Sequence, residues 1–149
     1  MINLHSTQME QAVIAALIGI DSAYDNVSNK INADVFYDER NRIIFESIDA
    51  IKKGGGTVDI VLVAEWLESR KRLEMAGGET YLMNLCANTP ASLFNLAMYV
   101  DKVNDLHVRR NALTALEQAK DQIQHNPGRL AAEVVTDAQC ELSSAIQPE

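Results

Sequence analysis

The feature of this sequence that most limits its fold is an unbroken run of helical apolar spacing from Leu93 to His125, which contains no proline or glycine. A helix of roughly 30 residues is longer than a compact bundle needs. Asn126-Pro127-Gly128 follows and marks a sharp turn, after which helical spacing resumes from about Arg129 to Ile146. Two long helices joined by a short turn form an antiparallel helical hairpin, and this is the predicted structure of the chain's last third.

Apolar side chains recur along both arms of the hairpin at heptad or four-residue spacing; Leu106 and Leu113, for example, are seven residues apart. Two helices alone cannot bury both of these apolar stripes, so part of the hairpin needs a further partner. We predict that this partner is a second copy of the chain. The predicted oligomer interface comprises Leu106, Arg109, Leu113, Leu116, Ile123, Leu130, Val134, Ala138 and Leu142. The alternative is that the hairpin lies flat on its own globular part.

Capping signals predict a helical globular head ahead of the hairpin. Thr7-Gln8-Met9-Glu10 has the pattern of a capping box and predicts a helix from about residue 8 to 19. Asp38 is the predicted N-cap of another helix, which ends at Lys52 and Lys53 ahead of a glycine. Shorter helices are predicted near residues 24–31 and 81–86, and Thr89-Pro90 is suited to open the next one. The predicted fold class is therefore all-α: a globular multi-helix head of about six helices (residues 1–104), then the hairpin (105–149).

Three consecutive glycines, Gly54 to Gly56, raise the question of a phosphate-binding loop. A Walker-type loop reads G-x-x-x-x-G-K-[ST], and no Lys-Ser or Lys-Thr follows these glycines. Asp59 instead suits the start of a new helix. The β-branched run over residues 58–63 leaves a strand as the alternative there. The glycines are accordingly interpreted as the end of one helix and not as a nucleotide site.

Composition and motif content exclude several functional classes. The formal net charge of -8 argues against a nucleic-acid surface, because neutralising phosphates requires clustered lysine and arginine. Arg70-Lys71-Arg72 is assigned to the last turn of a helix, where cations favour the carbonyl end of the dipole. Neither the two cysteines nor the three histidines have metal-ligand spacing, and no hydrolase motif occurs. We predict no catalytic, cofactor-binding or metal-binding residue in this chain.

The beginning of the chain lacks the order of a signal peptide, and no apolar run approaches the ~20 residues of a membrane span. The two cysteines are read as reduced packing residues. These observations predict a cytoplasmic protein without a membrane partner.

Five further segments occur in this order along the chain: MEQAVIAALI (9–18), FYDERNRIIFESI (36–48), VDIVLVAEWL (58–67), GGETYL (77–82) and TPASLFNLAMYVDKV (89–103). Together they resemble the N-terminal domain of DnaB-family replicative DNA helicases, the collar domain with which primase interacts. EVVTDAQCELSSAI also resembles the second arm of the family's hairpin. No single segment is specific for this family, whereas the ordered set is.

The resemblance implies a domain that dimerises through its hairpin and builds a trimer-of-dimers collar in the full helicase. It implies a DnaG-type primase and a helicase loader as partners. ATP and Mg²⁺ belong, in the family, to a RecA-like motor domain joined by a linker, neither of which this chain contains, so no ATPase activity is expected here. Two alternatives remain at this stage. One is a stand-alone regulatory protein that binds helicase, as a collar mimic or as a domain like the helicase-binding domain of primase. The other is an unrelated small enzyme.

Overall fold

A computed structural model describes residues 1–146, and this part of the chain is helical with no β-strand, which confirms the all-α prediction. The last three residues of the predicted hairpin segment, 147–149, lie outside the described part. The elements are α1 (Thr7–Gly19), α2 (Ala23–Val27), a 3₁₀ turn (Ala33–Val35), α3 (Glu39–Lys53), α4 (Ile60–Ser69), α5 (Gly78–Asn88), α6 (Leu93–His125) and α7 (Ala131–Ile146).

Helix α1 forms the centre of the globular head. Helices α3, α5 and α6 all pack against it. Six consecutive residues from Val13 to Ile18 are buried, as is expected of a helix that is apolar on every side. Phe36, Phe45 and Ile48 contribute the larger side chains of the same core.

Two helix starts agree with the sequence prediction because the capping side chain acts locally. Asp38 accepts a hydrogen bond from the Arg40 amide at 2.9 Å and caps α3. Asp59 accepts one from the Leu62 amide at 2.8 Å and caps α4, so the alternative of a strand over residues 58–63 is wrong. The glycine run ends α3, and Gly55 has a φ of 84°, a conformation that favours glycine.

Two other helix starts, and the end of α4, differ from the prediction. Ser6, and not Thr7, caps α1 by accepting from the Met9 amide at 3.3 Å. Ser92 caps α6, so Thr89-Pro90 precedes that helix by two residues and does not open it. The basic cluster from Arg70 lies just beyond the end of α4 and not in its last turn, because α4 ends at Ser69.

Helix α6 belongs to both the head and the hairpin. Its first third contributes Leu96, Val100 and Val103 to the head core, and Leu106 is also buried. The helix then continues to His125, as predicted, and α7 packs back along it. The predicted boundary at residues 104 and 105 falls inside this continuous helix and stays a prediction. A single helical rod therefore connects the globular head to the hairpin.

Candidate functional site

The contact between the two arms of the hairpin is made largely by small side chains. Ala115 on α6 and Val134 and Ala145 on α7 are buried, while Ala119 and Ala138 are half-buried. Small residues let two helices approach closely and leave the larger apolar side chains to point elsewhere. The interior of the hairpin is therefore already occupied without most of the leucines that the sequence places on it.

One broad face of the hairpin is polar. A groove of about 350 Å³ runs between the arms and is lined by Asn111, Thr114, Gln118, Glu141 and Ser144, together with small side chains and Cys140. Towards the tip, Arg129 and Asp137 form an ion pair across the end of a second, continuous groove. Residues of both helices line this side of the hairpin. Their positions show which side of each helix, relative to the buried contact between the arms, faces the groove.

The opposite face is apolar. A helix turns about 100° per residue, so Leu116 and Ile123 lie roughly a quarter turn from the buried Ala115 on α6, and Leu113 lies about 60° beyond Leu116 in the same sense. Val135 and Ile146 lie a similar rotation from Val134 on α7. Because the helices are antiparallel, rotations of the same sense bring both sets to one side, away from the polar groove. We call Leu113, Leu116, Ile123, Val135 and Ile146 the apolar face; each is between 43% and 69% exposed.

The structure places the nine predicted interface residues in different environments. Leu113, Leu116 and Ile123 are on the apolar face, Leu130 is exposed immediately before α7, and Leu142 and Ala138 are half-buried beside them. Leu106 and Val134 are buried within the subunit. Arg109 is exposed and pairs with Asp105 at 2.8 Å.

Val135 and Ile146 were not among the predicted interface residues although both are exposed on the apolar face. The signal for them was present, because residues 131, 135, 138, 142 and 146 form one stripe at steps of four, three, four and four residues. The spacing alone did not say which of two adjacent stripes on α7 contacts α6. The hairpin does not lie flat on its own head, since its large apolar side chains remain exposed.

The basic cluster after α4 is engaged within the head. The Arg70 guanidinium lies over the Trp66 ring, 4.0 Å from its centroid, and Arg72 pairs with Glu46 at 3.3 Å.

Among the described residues no group of three or more His, Cys, Asp or Glu side chains is placed to hold a metal ion. None of the helices in residues 1–146 is long and apolar enough to cross a membrane. Burial raises the pKa of the Cys86 thiol.

One family model matches most of the chain. The model of the DnaB-like helicase N-terminal domain matches residues 2–105, which is more than half of the chain. The chain belongs to this family. The predicted resemblance is thereby confirmed, and the relatives found in addition are named replicative DNA helicase DnaB.

This chain spans less than a third of the length of the DnaB relatives that it matches. The replicative DNA helicase DnaB of Pasteurella multocida is 26% identical over 135 residues, which are 91% of this chain and 29% of the relative. That of Buchnera aphidicola subsp. Schizaphis graminum is 33% identical over 88 residues, 59% of this chain and 19% of the relative.

Two solved structures show the same fold as this DnaB-family domain. The N-terminal domain of DnaB helicase from Mycobacterium tuberculosis superposes with a TM-score of 0.87 at 24% identity and covers 96% of this chain and 99% of that one. A structure described as that of a DnaB-like replicative helicase and its interactions with primase gives a TM-score of 0.73 at 19% identity, covering 97% of this chain and 32% of that one. Both matches extend past residue 105 and so include the hairpin of this DnaB-family domain.

A pH-dependent stability is expected where the DnaB-family head meets its hairpin. Burial lowers the pKa of His107 from its usual 6.5, the nearby Arg110 guanidinium lowers it further, and Asp34 opposes both. The folded state therefore favours neutral His107. The resulting stability is present above about pH 6.5 and is lost as the pH falls towards the lower pKa of the folded state.

We expect His107→Gln to reduce the loss of urea stability between pH 7.5 and pH 5.5. Thr114→Gln, at an exposed and non-titrating position on the same helix, is the matched control and should leave that loss unchanged. Equal pH profiles for His107→Gln and the unmodified chain would contradict the assignment.

Proposed function

We propose that this DnaB-family N-terminal domain is an oligomerisation and docking module of a replicative helicase, and that it dimerises through the apolar face of its hairpin. The observation that carries the proposal is the grouping of five large apolar side chains on one side of a hairpin whose interior is filled by small residues. Monomeric soluble proteins rarely leave contiguous apolar patches of this kind uncovered.

A second copy is the partner that fits this face best. In a two-fold dimer both subunits use the same surface, so the apolar face of one subunit packs against the apolar face of the other. The two hairpins together form a four-helix arrangement in which the stripes of both α6 and α7 are buried. In a complete helicase, three such dimers build the collar.

Docking of a DnaG-type primase is the second part of the proposed function. One structural match is to a DnaB-like helicase described together with its interactions with primase. In this chain the polar face of the hairpin and the adjoining head remain accessible after dimerisation through the apolar face. A helicase loader is a further proposed partner. ATP and Mg²⁺ chemistry is proposed to reside in a motor domain outside this chain, and strong binding of DNA by this acidic domain is not proposed.

The proposal is tested by following the mass of the chain with and without primase. Sedimentation velocity across a concentration series is expected to show a dimer, and a DnaG-type primase domain added to it is expected to co-sediment with the dimer. Failure of the primase domain to co-sediment, at the highest concentrations at which both proteins stay soluble, contradicts the docking part. The proposed dimer is tested separately, by the mass of the chain measured without primase.

A further inference from the structure

A single arginine on α6 ties together three parts of the chain at the point where the hairpin leaves the head. Arg110 donates from Nη1 to the Leu4 carbonyl oxygen at 2.7 Å and from Nη2 to the Val35 carbonyl oxygen at 2.9 Å. Its guanidinium carbon also lies 5.3 Å from the centroid of the Tyr37 ring. In the described part of the chain, Arg110 makes the hydrogen bonds to the head that lie farthest along α6.

The residues just before α1 are held at a second point. We call residues 4–6 the N-terminal strap. The His5 ring stacks on the Tyr37 ring with centroids 4.1 Å apart and planes 3° from parallel. Tyr37 is itself anchored, because its amide donates to the buried Glu10 carboxylate at 2.7 Å. Ser6 then caps α1, so the strap passes from Arg110 directly into the central helix of the head.

We infer that Arg110 is a positioning residue: together with the N-terminal strap, it fixes the angle at which the hairpin leaves the head. Helix α6 is continuous, so a restraint near its middle sets the direction of the whole distal part. The core contacts of α6 end with the buried Leu106, one turn earlier. Without the strap, the hairpin is restrained only by those earlier contacts, and the range of directions that it takes relative to the head becomes wider.

Arginine suits this task in a way that lysine does not. The guanidinium is a planar fork whose two terminal nitrogens reach two carbonyl groups at once, on two different segments. A lysine ammonium is a compact point charge on a flexible stem. Arg110→Lys therefore keeps the charge and loses the two-segment bridge, which separates the geometric role from the electrostatic one.

The effect of Arg110 on assembly rests on the self-association proposed above. Its effect on the orientation of the hairpin within one subunit does not. Two hairpins that meet through their apolar faces must present them at a defined angle to their heads before several dimers can form one collar. Pre-organising that angle lowers the cost of association.

The inference is tested by measuring the distance between head and hairpin within one subunit. Spin labels on Lys53→Cys in the head and Gln124→Cys at the hairpin tip, in a chain carrying Cys86→Ser and Cys140→Ser, report this distance by double electron–electron resonance. Both label sites are exposed. Labelled protein is diluted with unlabelled protein so that pairs within one subunit dominate.

A narrow distance distribution is expected for otherwise unmodified protein, and a clearly broader one both for Arg110→Lys and for deletion of residues 1–5, which leaves Arg110 in place. Arg72→Ala, which removes a half-exposed arginine paired with Glu46, is the control and should keep the narrow distribution. If both the Arg110 variant and the deletion keep the narrow distribution, even with lowered urea stability, Arg110 only stabilises the fold and the inference fails. A monomeric unmodified chain would instead count against the proposed function alone.

Discussion

Replacing Leu116 by aspartate is expected to turn the dimer into monomers that keep a helical circular-dichroism spectrum. Leu116 is 52% exposed in the single subunit, so a carboxylate there remains solvated and costs the monomer little. In the dimer the same carboxylate is buried without a partner, and two-fold symmetry introduces it twice. We expect the dissociation constant to rise by at least about 100-fold, equivalent to about 2.7 kcal/mol. Sedimentation equilibrium measures this change.

Leu113→Asp is expected to behave in the same way, because Leu113 lies on the same apolar face and is 43% exposed. Thr114→Asp is the matched control: it adds the same charge to the same helix, but on the polar face. This control should retain the dimer. If both leucine variants form dimers with unchanged affinity, the apolar face is not the dimer interface.

Replacing Glu10 by alanine is expected to cause a large loss of stability in the head. Glu10 is only 2% exposed, and its carboxylate accepts hydrogen bonds from the Tyr37 and Asp38 amides and from the Asn41 side chain, at 2.7 to 3.2 Å. Alanine leaves three donors without their acceptor, the buried Asn41 amide and two part-buried backbone amides, and an unsatisfied buried donor costs about 1–3 kcal/mol. We therefore expect the free energy of unfolding to fall by roughly 3 kcal/mol or more.

Urea denaturation followed by circular dichroism measures this loss. Glu10→Gln retains one acceptor oxygen and should lose less than the alanine variant. Glu68→Ala, at an exposed position on α4, should stay within about 0.5 kcal/mol of the unmodified chain. An unfolding free energy of Glu10→Ala within that same range would show that the buried carboxylate is not important for the stability of the head.

Glu10 also illustrates why part of this structure was not predictable from sequence. Its position three residues after Thr7 fits a capping box, which is a local pattern. Its real partners are 27, 28 and 31 residues away along the chain. Asn41 continues the network by accepting from the Tyr81 hydroxyl at 2.6 Å, again across a long separation. Caps at Asp38 and Asp59 were predictable because donor and acceptor are within three residues of each other.

The hairpin shows the same division between local and non-local information. Its two arms and its turn followed from periodicity and from Asn126-Pro127-Gly128, both of which are local signals. Which stripe faces the other arm depends on how closely the helices approach. The alanine contact at Ala115 allows a close approach, and this directs Leu116 outwards. Spacing predicted apolar stripes correctly, but it did not separate the contact within the subunit from the face left for a partner.

The most direct test of the central claim is the mass of the unmodified chain, measured by light scattering after size exclusion over a concentration series. One chain has a mass of 16.5 kDa. Self-association through the apolar face predicts twice this mass, with dissociation only on dilution. A mass of 16.5 kDa at every concentration, including the highest that stays soluble, would contradict the proposed dimer.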